Sequence, residues 1–429
     1  MPDRLAPLAA LLLLPAAAAA QDPQPPSPAP PVRVLPIVGN PSMDEPDAIL
    51  ANLDAGPFVA GNTWWDHDGD GVVYIETRVG FLWDPADGAR VFRVDNATYW
   101  TAHEHLPAAV ADTGAVAGTR VFRFSLDFDP FLWTPAGGLQ ILPLPGPGWY
   151  GTATCLSADA SLVGGTLRPG PFASDPASAA AWDATGLRLL DDGGALWSEV
   201  FAASPDGRTL AGDAGPGATA LTAVRWRDAV LEVLGAVPGQ ISSSARFVSA
   251  DGLEALGTAL TASGTVLVHW DALGTPSSWA PPAGWNLQEL RAANPTLSAA
   301  VGALADASGN QAPFLWTRAG GWTVLPEAGR PDDYDQSVAL DVSDDGRRVV
   351  GQLRASAIFN GDPPSLGFLW VRGQGPILVN DLLRLAGDPD PDAWSAWAIR
   401  GDGRQIAVTG NLDGGDPHAT NSALLDLRR

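Results

Sequence analysis

The feature that most constrains this chain is a pattern that returns along nearly its whole length: an apolar run closing on tryptophan, a glycine-containing turn, and a second short apolar run. Its clearest copy is Phe314-Leu315-Trp316-Thr317-Arg318-Ala319-Gly320-Gly321-Trp322-Thr323-Val324-Leu325-Pro326. The anchors are Trp83, Trp133, Trp182, Trp226, Trp270, Trp316 and Trp370, spaced 50, 49, 44, 44, 46 and 54 residues apart. A unit of that length matches a propeller blade of four strands, whereas a β-solenoid coil is roughly half as long. The period therefore predicts an all-β propeller.

Within a unit the run ending in Trp reads as strand A, and the run after the Gly turn, such as Leu139-Gln140-Ile141-Leu142-Pro143, as strand B. A variable polar loop follows, then two apolar alternations separated by Ser204-Pro205-Asp206-Gly207, Ser249-Ala250-Asp251-Gly252 or Ser343-Asp344-Asp345-Gly346. Asp-Gly between two alternating runs signals a hairpin, since glycine takes positive φ without strain, so strands C and D pair antiparallel. Strand D carries a glycine six residues beyond the turn residue: Asp112 to Gly118, Asp159 to Gly165, Asp206 to Gly212, Asp251 to Gly257 and Asp345 to Gly351. Three degenerate copies, Asp54 to Gly61, Asn294 to Gly302 and Asp402 to Gly410, stretch to seven or eight.

Eight C-D hairpins thus stand against seven Trp-anchored A strands. The surplus hairpin comes first: Val34 to Val38 resembles a strand B, Ala48 to Leu50 a strand C and Phe58 to Ala60 a strand D, with no strand A before them. At the far end Ser422 to Leu427 resembles a strand A with nothing after it. The economical expectation is eight four-stranded blades, the ring closed by the C-terminal strand pairing into the N-terminal blade, which removes exposed sheet edges. Seven blades with an irregular N-terminal extension is the alternative.

The string from Tyr334 to Gly351, preceded by FLWTRAGGWTVLP, resembles the bacterial HAF-type extracellular repeat. In that family an aromatic-apolar strand precedes a Gly-Gly turn, a short strand and an S-x-DG hairpin ending in VVG. The resemblance implies a secreted or envelope repeat protein built of propeller-like repeats.

Residues 1–20 hold Arg4, the apolar run Leu8 to Leu14 and the small residues Ala16 to Ala20, the pattern of a secretory signal peptide. The apolar run is too short for a membrane span, which needs about 20 residues. Residues 21–33, rich in proline, read as an extended spacer, and 34–429 as the propeller. The expected location is secreted or periplasmic, as a monomer without membrane insertion. Net charge is −23, from 48 acidic against 25 basic residues, which excludes nucleic acid as a natural partner. Cys155 is the only cysteine, so the core is unaided by internal disulfides.

Large aromatic residues stand eight to twelve positions before the C-D turns: Trp100, Trp149, Tyr150, Trp197, Trp285, Tyr334 and Trp394. That places them in the B-to-C loops or at the start of strand C, on one face beside the channel mouth, where they are candidates to stack on a glycan or envelope component. The opposing reading is that each plugs the top of its own blade. Catalytic signatures are absent: no Gly-x-Ser-x-Gly and no His-Glu-x-x-His occurs. The expected function is a binding or scaffold module. The alternative is a propeller hydrolase or lyase using acidic residues at the channel mouth.

The run Asp66-His67-Asp68-Gly69-Asp70-Gly71 has the D-x-D-x-D-G form of a calcium loop. Its expected ligands are Asp66, Asp68, Asp70, the carbonyl of Val72, and Glu76, because clustered carboxylates call for a hard cation. Position twelve is Thr77 rather than glutamate, a departure from the full motif.

Overall fold

The computed structural model describes residues 32–37, 43–52, 58–65, 77–84, 86–92, 103–122, 127–172, 174–326, 335–355, 365–387, 392–411 and 421–427. Among the described residues, thirty-two strands form eight sheets of four antiparallel strands. Sheets 1 to 7 are continuous in sequence, spanning 43–92, 103–141, 150–189, 197–233, 240–279, 286–324 and 338–378. Sheet 8 joins Asp392–Ile399, Gln405–Asn411 and Asn421–Leu427 to the N-terminal strand Val32–Ile37, with Val34 opposite Leu425.

The two chain ends pair as expected, but the phase of the repeat differs. Every sheet runs C-D-A-B, so Met43–Asn52 and Phe58–Trp65 join Thr77–Asp84 and Gly88–Phe92, and it is the N-terminal strand that completes the C-terminal sheet. A period is unchanged wherever the unit is cut, so spacing alone leaves the boundary open; the hydrogen-bond ladder sets it at the B-to-C connection. The C strands of neighbouring sheets lie against one another, apart from sheets 5 and 6, and the C strand of sheet 1 lies against that of sheet 8. The C edges therefore converge and the short B strands form the outer edges.

The recurrent glycine of strand D has a steric cause. In sheets 2 to 7 the C strand bulges opposite it, and a Cβ on Gly165, Gly212, Gly257, Gly302 or Gly351 would fall 1.9–2.2 Å from a carbonyl oxygen of that strand. Backbone cannot yield as a side chain does. Gly212→Ala, whose Cβ would meet Glu199 O at 1.9 Å, is expected to cost about 3 kcal/mol, the upper range for overpacking. Gly217→Ala, with nothing within 4 Å, serves as the neutral control. Equal midpoints in urea for the two variants would remove the steric account.

The C-D turns are built alike. In sheet 4 the buried Ser204 hydroxyl donates to Asp206 Oδ1 (2.6 Å) and accepts the Thr209 N–H (3.0 Å), while Asp206 Oδ1 accepts the Arg208 N–H (3.0 Å). The same set recurs at Ser157, Ser249 and Ser343. Asn294 holds the serine place in sheet 6, where its Oδ1 accepts the N–H groups of Ser298 and Ala299. Counted from that place, Asn294 to Gly302 is regular, and the apparent stretch in spacing vanishes. In sheet 8 the residue opposite the central bulge is Val408, not Gly410.

Turns of successive sheets are tied in one sense. Asp112 N–H donates to Ala158 O, Ala158 N–H to Pro205 O, Ala250 N–H to Pro295 O and Asp344 N–H to Gly401 O, each at 2.8–2.9 Å. Proline lacks the donor. At Pro295 the neighbouring Asn294 Nδ2 supplies it, reaching Asp344 O at 2.7 Å. At Pro205 the buried Arg225 of sheet 4 instead donates to Leu253 O and Ala272 O of sheet 5.

All seven Trp anchors are 0–7% exposed, the predicted structural role. Trp182, Trp226 and Trp270 also donate their indole N–H to Pro143 O, Asp191 O and Gly235 O, at the end of the preceding sheet's B strand. One short helix, Val379–Leu385, was not expected; it buries Val379, Leu382 and Leu383 between sheets 7 and 8, and its Asn380 Oδ1 accepts the Ala393 N–H (2.7 Å). No described helix is long and apolar enough to cross a membrane.

Candidate functional site

One bulge in each of sheets 2 to 8 falls at an equivalent point of the converging C strands, at Ala108, Thr154, Phe201, Arg246, Arg291, Leu340 and Trp397; sheets 5, 6 and 8 have a second bulge nearer the strand start, and sheet 1 has two. A bulged residue has no ladder partner and is turned out of the sheet, which is how bulges re-aim side chains. Ala108, Arg246 and Arg291 are exposed and the rest half-buried. Neighbours in this tier meet: Thr154 Oγ1 donates to Val200 O (2.7 Å), and the Arg246 guanidinium carbon lies 3.9 Å from the centre of the Phe201 ring.

The only charged members of the tier are the two arginines. Arg291 Nε is 2.7 Å from Glu289 Oε1, whereas Arg246 makes no ion pair among the described residues and rests on Phe201. Two residues nearer the start of the C strand, Glu199 is paired with Arg168 of sheet 3. Arg168 also lies 4.4 Å from the centre of the Trp197 ring and donates to Asp175 O (2.9 Å).

Directly opposite Glu199 on strand D is Asp213, which is 1% exposed with no partner on Oδ1. Burial pushes its carboxyl up to about 7, and the Glu199 charge adds to the rise, against the lowering effects of Ser244 and Arg246. A carboxyl raised in this way beside a second acidic residue is the raw material of acid-base chemistry, but Asp213 is enclosed between sheets 4 and 5 and offers no surface to a polymer.

The aromatic residues singled out from the sequence stand at the start of the C strands where described. Tyr150, Trp197 and Trp394 lie within them, and Trp149 and Trp285 immediately precede them. They are not brought together: Trp149 packs on the core around Leu167 and Trp182, Trp285 on that around Leu287 and Phe314, and Trp197 is 9% exposed beneath Arg168. Among the described residues no two of these rings stack. Trp100 and Tyr334 lie outside the described residues, as do Asp66, Asp68, Asp70, Val72 and Glu76. No group of three or more His, Cys, Asp or Glu side chains placed to hold a metal occurs among the described residues. Cys155 is 6% exposed in the core between sheets 3 and 4, and burial pushes its thiol up to about 12.

Sequence reasoning missed the tier. A signal was present: each bulged residue stands three places before the turn's capping position, as in Thr154 and Ser157, Phe201 and Ser204, Arg246 and Ser249, or Arg291 and Asn294.

No family model matches the chain, and no curated protein matches it. Among solved structures it is similar to prolyl oligopeptidase B from Galerina marginata, with a TM-score of 0.52 and 12% identity over 86% of this chain and 56% of that one. It is also similar to a prolyl endopeptidase, with a TM-score of 0.50 and 12% identity over 77% and 51%. The β-propeller domain of the trilobed protease from Pyrococcus furiosus, described as having an open velcro topology, matches with a TM-score of 0.46 and 11% identity over 81% and 99%. The chain spans about half the length of the prolyl peptidases it resembles. At such identities the likeness concerns fold alone: four-stranded antiparallel sheets of the β-propeller kind.

Proposed function

We propose that the chain is an exported eight-bladed propeller of the HAF-repeat kind. It acts as a binding or scaffold module that engages a glycan or other envelope component along the converging C strands, at the tier nearer their C-D turns. Closure of the ring is supported by the pairing of Val32–Ile37 with Asn421–Leu427 and by the contact between the C strands of sheets 1 and 8. The observation that carries the binding reading is the bulged tier, which holds Phe201, Arg246, Arg291 and Trp397 at equivalent points on converging strands. Aromatic faces and arginine forks on a rigid scaffold are what polar ligands require. The aromatic residues at the strand starts serve mainly to seat their own sheets.

A hydrolase or lyase would have Glu199 and Asp213 as its best carboxylate pair, and the burial of Asp213 disfavours it. A screen of envelope polysaccharides for both retention and turnover separates the two. Retention without products is expected, weakened about tenfold when Phe201 and Trp397 are both replaced by alanine, the worth of about 1.4 kcal/mol of stacking. Release of oligosaccharide products would establish the enzyme instead, and retention indifferent to both substitutions would move the site elsewhere.

A further inference from the structure

We infer that the group recognised at this tier is a carboxylate, that of a uronate residue in an acidic glycan, held by Arg246 where it rests on Phe201; this rests on the binding reading above. The chain carries 48 acidic against 25 basic residues, and sheet 1 has Glu45 and Asp47 at its bulges, yet none of the seven tier positions in sheets 2 to 8 is acidic and two are arginine. Over most of such a surface a carboxylate is repelled. Here it meets the reverse.

Arg246 is exposed, and its guanidinium lies 3.9 Å from the centre of the Phe201 ring. Stacking occupies the face of the guanidinium and leaves its N–H edge, the fork that matches a carboxylate with two parallel hydrogen bonds. Among the described residues no carboxylate makes an ion pair with this arginine. The carboxyl nearest in influence, Asp213, is buried and faces Ser244 as well. Arg291, the other arginine of the tier, is engaged through Nε by Glu289.

The test is calorimetric titration of the full chain at low salt with sodium glucuronate, with glucose as the neutral probe and N-acetyl-Ala-Ala as a carboxylate from a peptide end. Glucuronate is expected to bind at least tenfold more tightly than glucose. Arg246→Gln should abolish that preference, and Arg246→Lys, which keeps charge without the fork, should still lose at least fivefold. Affinity for glucuronate equal to that for glucose, or unchanged in Arg246→Gln, overturns the inference, and tighter binding of N-acetyl-Ala-Ala than of glucuronate overturns the sugar assignment. Retention of neutral polysaccharides with no glucuronate binding would sink this inference alone and leave the binding module standing. Arg246-dependent glucuronate binding with no polymer retained would do the opposite.

Discussion

Deletion of residues 421–427 is expected to lower the melting temperature by about 7 °C. Asn421–Leu427 is paired on both sides, to Gln405–Asn411 and to Val32–Ile37. Its residues Leu424, Leu425 and Leu427 are 0–5% exposed, and at about 2 kcal/mol each their burial contributes on the order of 6 kcal/mol. For a domain of nearly 400 residues, at about 2 cal/mol/K of unfolding entropy per residue, that loss corresponds to the stated fall. In a closed ring the damage spreads to sheet 1, so scanning calorimetry should show one displaced transition. A truncated chain melting as the full one does would dispose of the closure.

Asp213→Asn is expected to stabilise the protein by about 4 kcal/mol at pH 8 and to leave it nearly unchanged at pH 3.5. The folded carboxyl is raised from its ordinary value of 3.8 to about 7. A raised acid favours the folded state while protonated: its contribution is complete below 3.8 and is lost as pH climbs through 7, at about 1.4 kcal/mol per pH unit over the interval. Asparagine has the same shape, never ionises, and keeps a hydrogen-bonding group beside Ser244. Urea unfolding of both proteins at the two pH values gives the answer, and a stability difference that does not change with pH would mean that Asp213 is not held neutral.

The period, the strand boundaries and the burial of the Trp anchors were legible because each is a local pattern repeated seven or eight times, and repetition averages out the noise of single positions. The phase was not, since a cyclic pattern has no first strand. The helix at Val379–Leu385 was hidden for a different reason: two turns bury only three apolar side chains, and Val379-Asn380-Asp381-Leu382-Leu383 reads equally well as a short strand and its loop. As to the site, large aromatics drew attention because of their size, and size is what buries them in the joints between sheets. The exposed tier escaped because it varies from Ala108 to Trp397, and its shared property is backbone geometry. A bulge is visible only as a registration error between two strands, although the three-residue offset from the capping serine foreshadows it.

The hydrogen bonds that tie successive C-D turns, from sheet 2 to sheet 4 and from sheet 5 to sheet 8, mean that this protein has one face that keeps its gauge and another that does not. From the capping serine to the strand D glycine the count is eight residues at Ser157, Ser204, Ser249 and Ser343 alike, while the spacing of the Trp anchors wanders from 44 to 54. An added residue in a C-D turn would shift a donor away from the carbonyl it must reach on the next sheet, and the error would pass to the sheet beyond. On the opposite face Ser198 N–H donates to Ala177 O, Ser243 N–H to Leu221 O and Ser337 N–H to Gln311 O, but these bonds join strand starts rather than turns, so connections of unequal length between them are absorbed locally. Diversification of this architecture is therefore one-sided: new segments can be spliced where the C strands begin, at the end away from the C-D turns and from Phe201, Arg246 and Arg291, without re-cutting the turns.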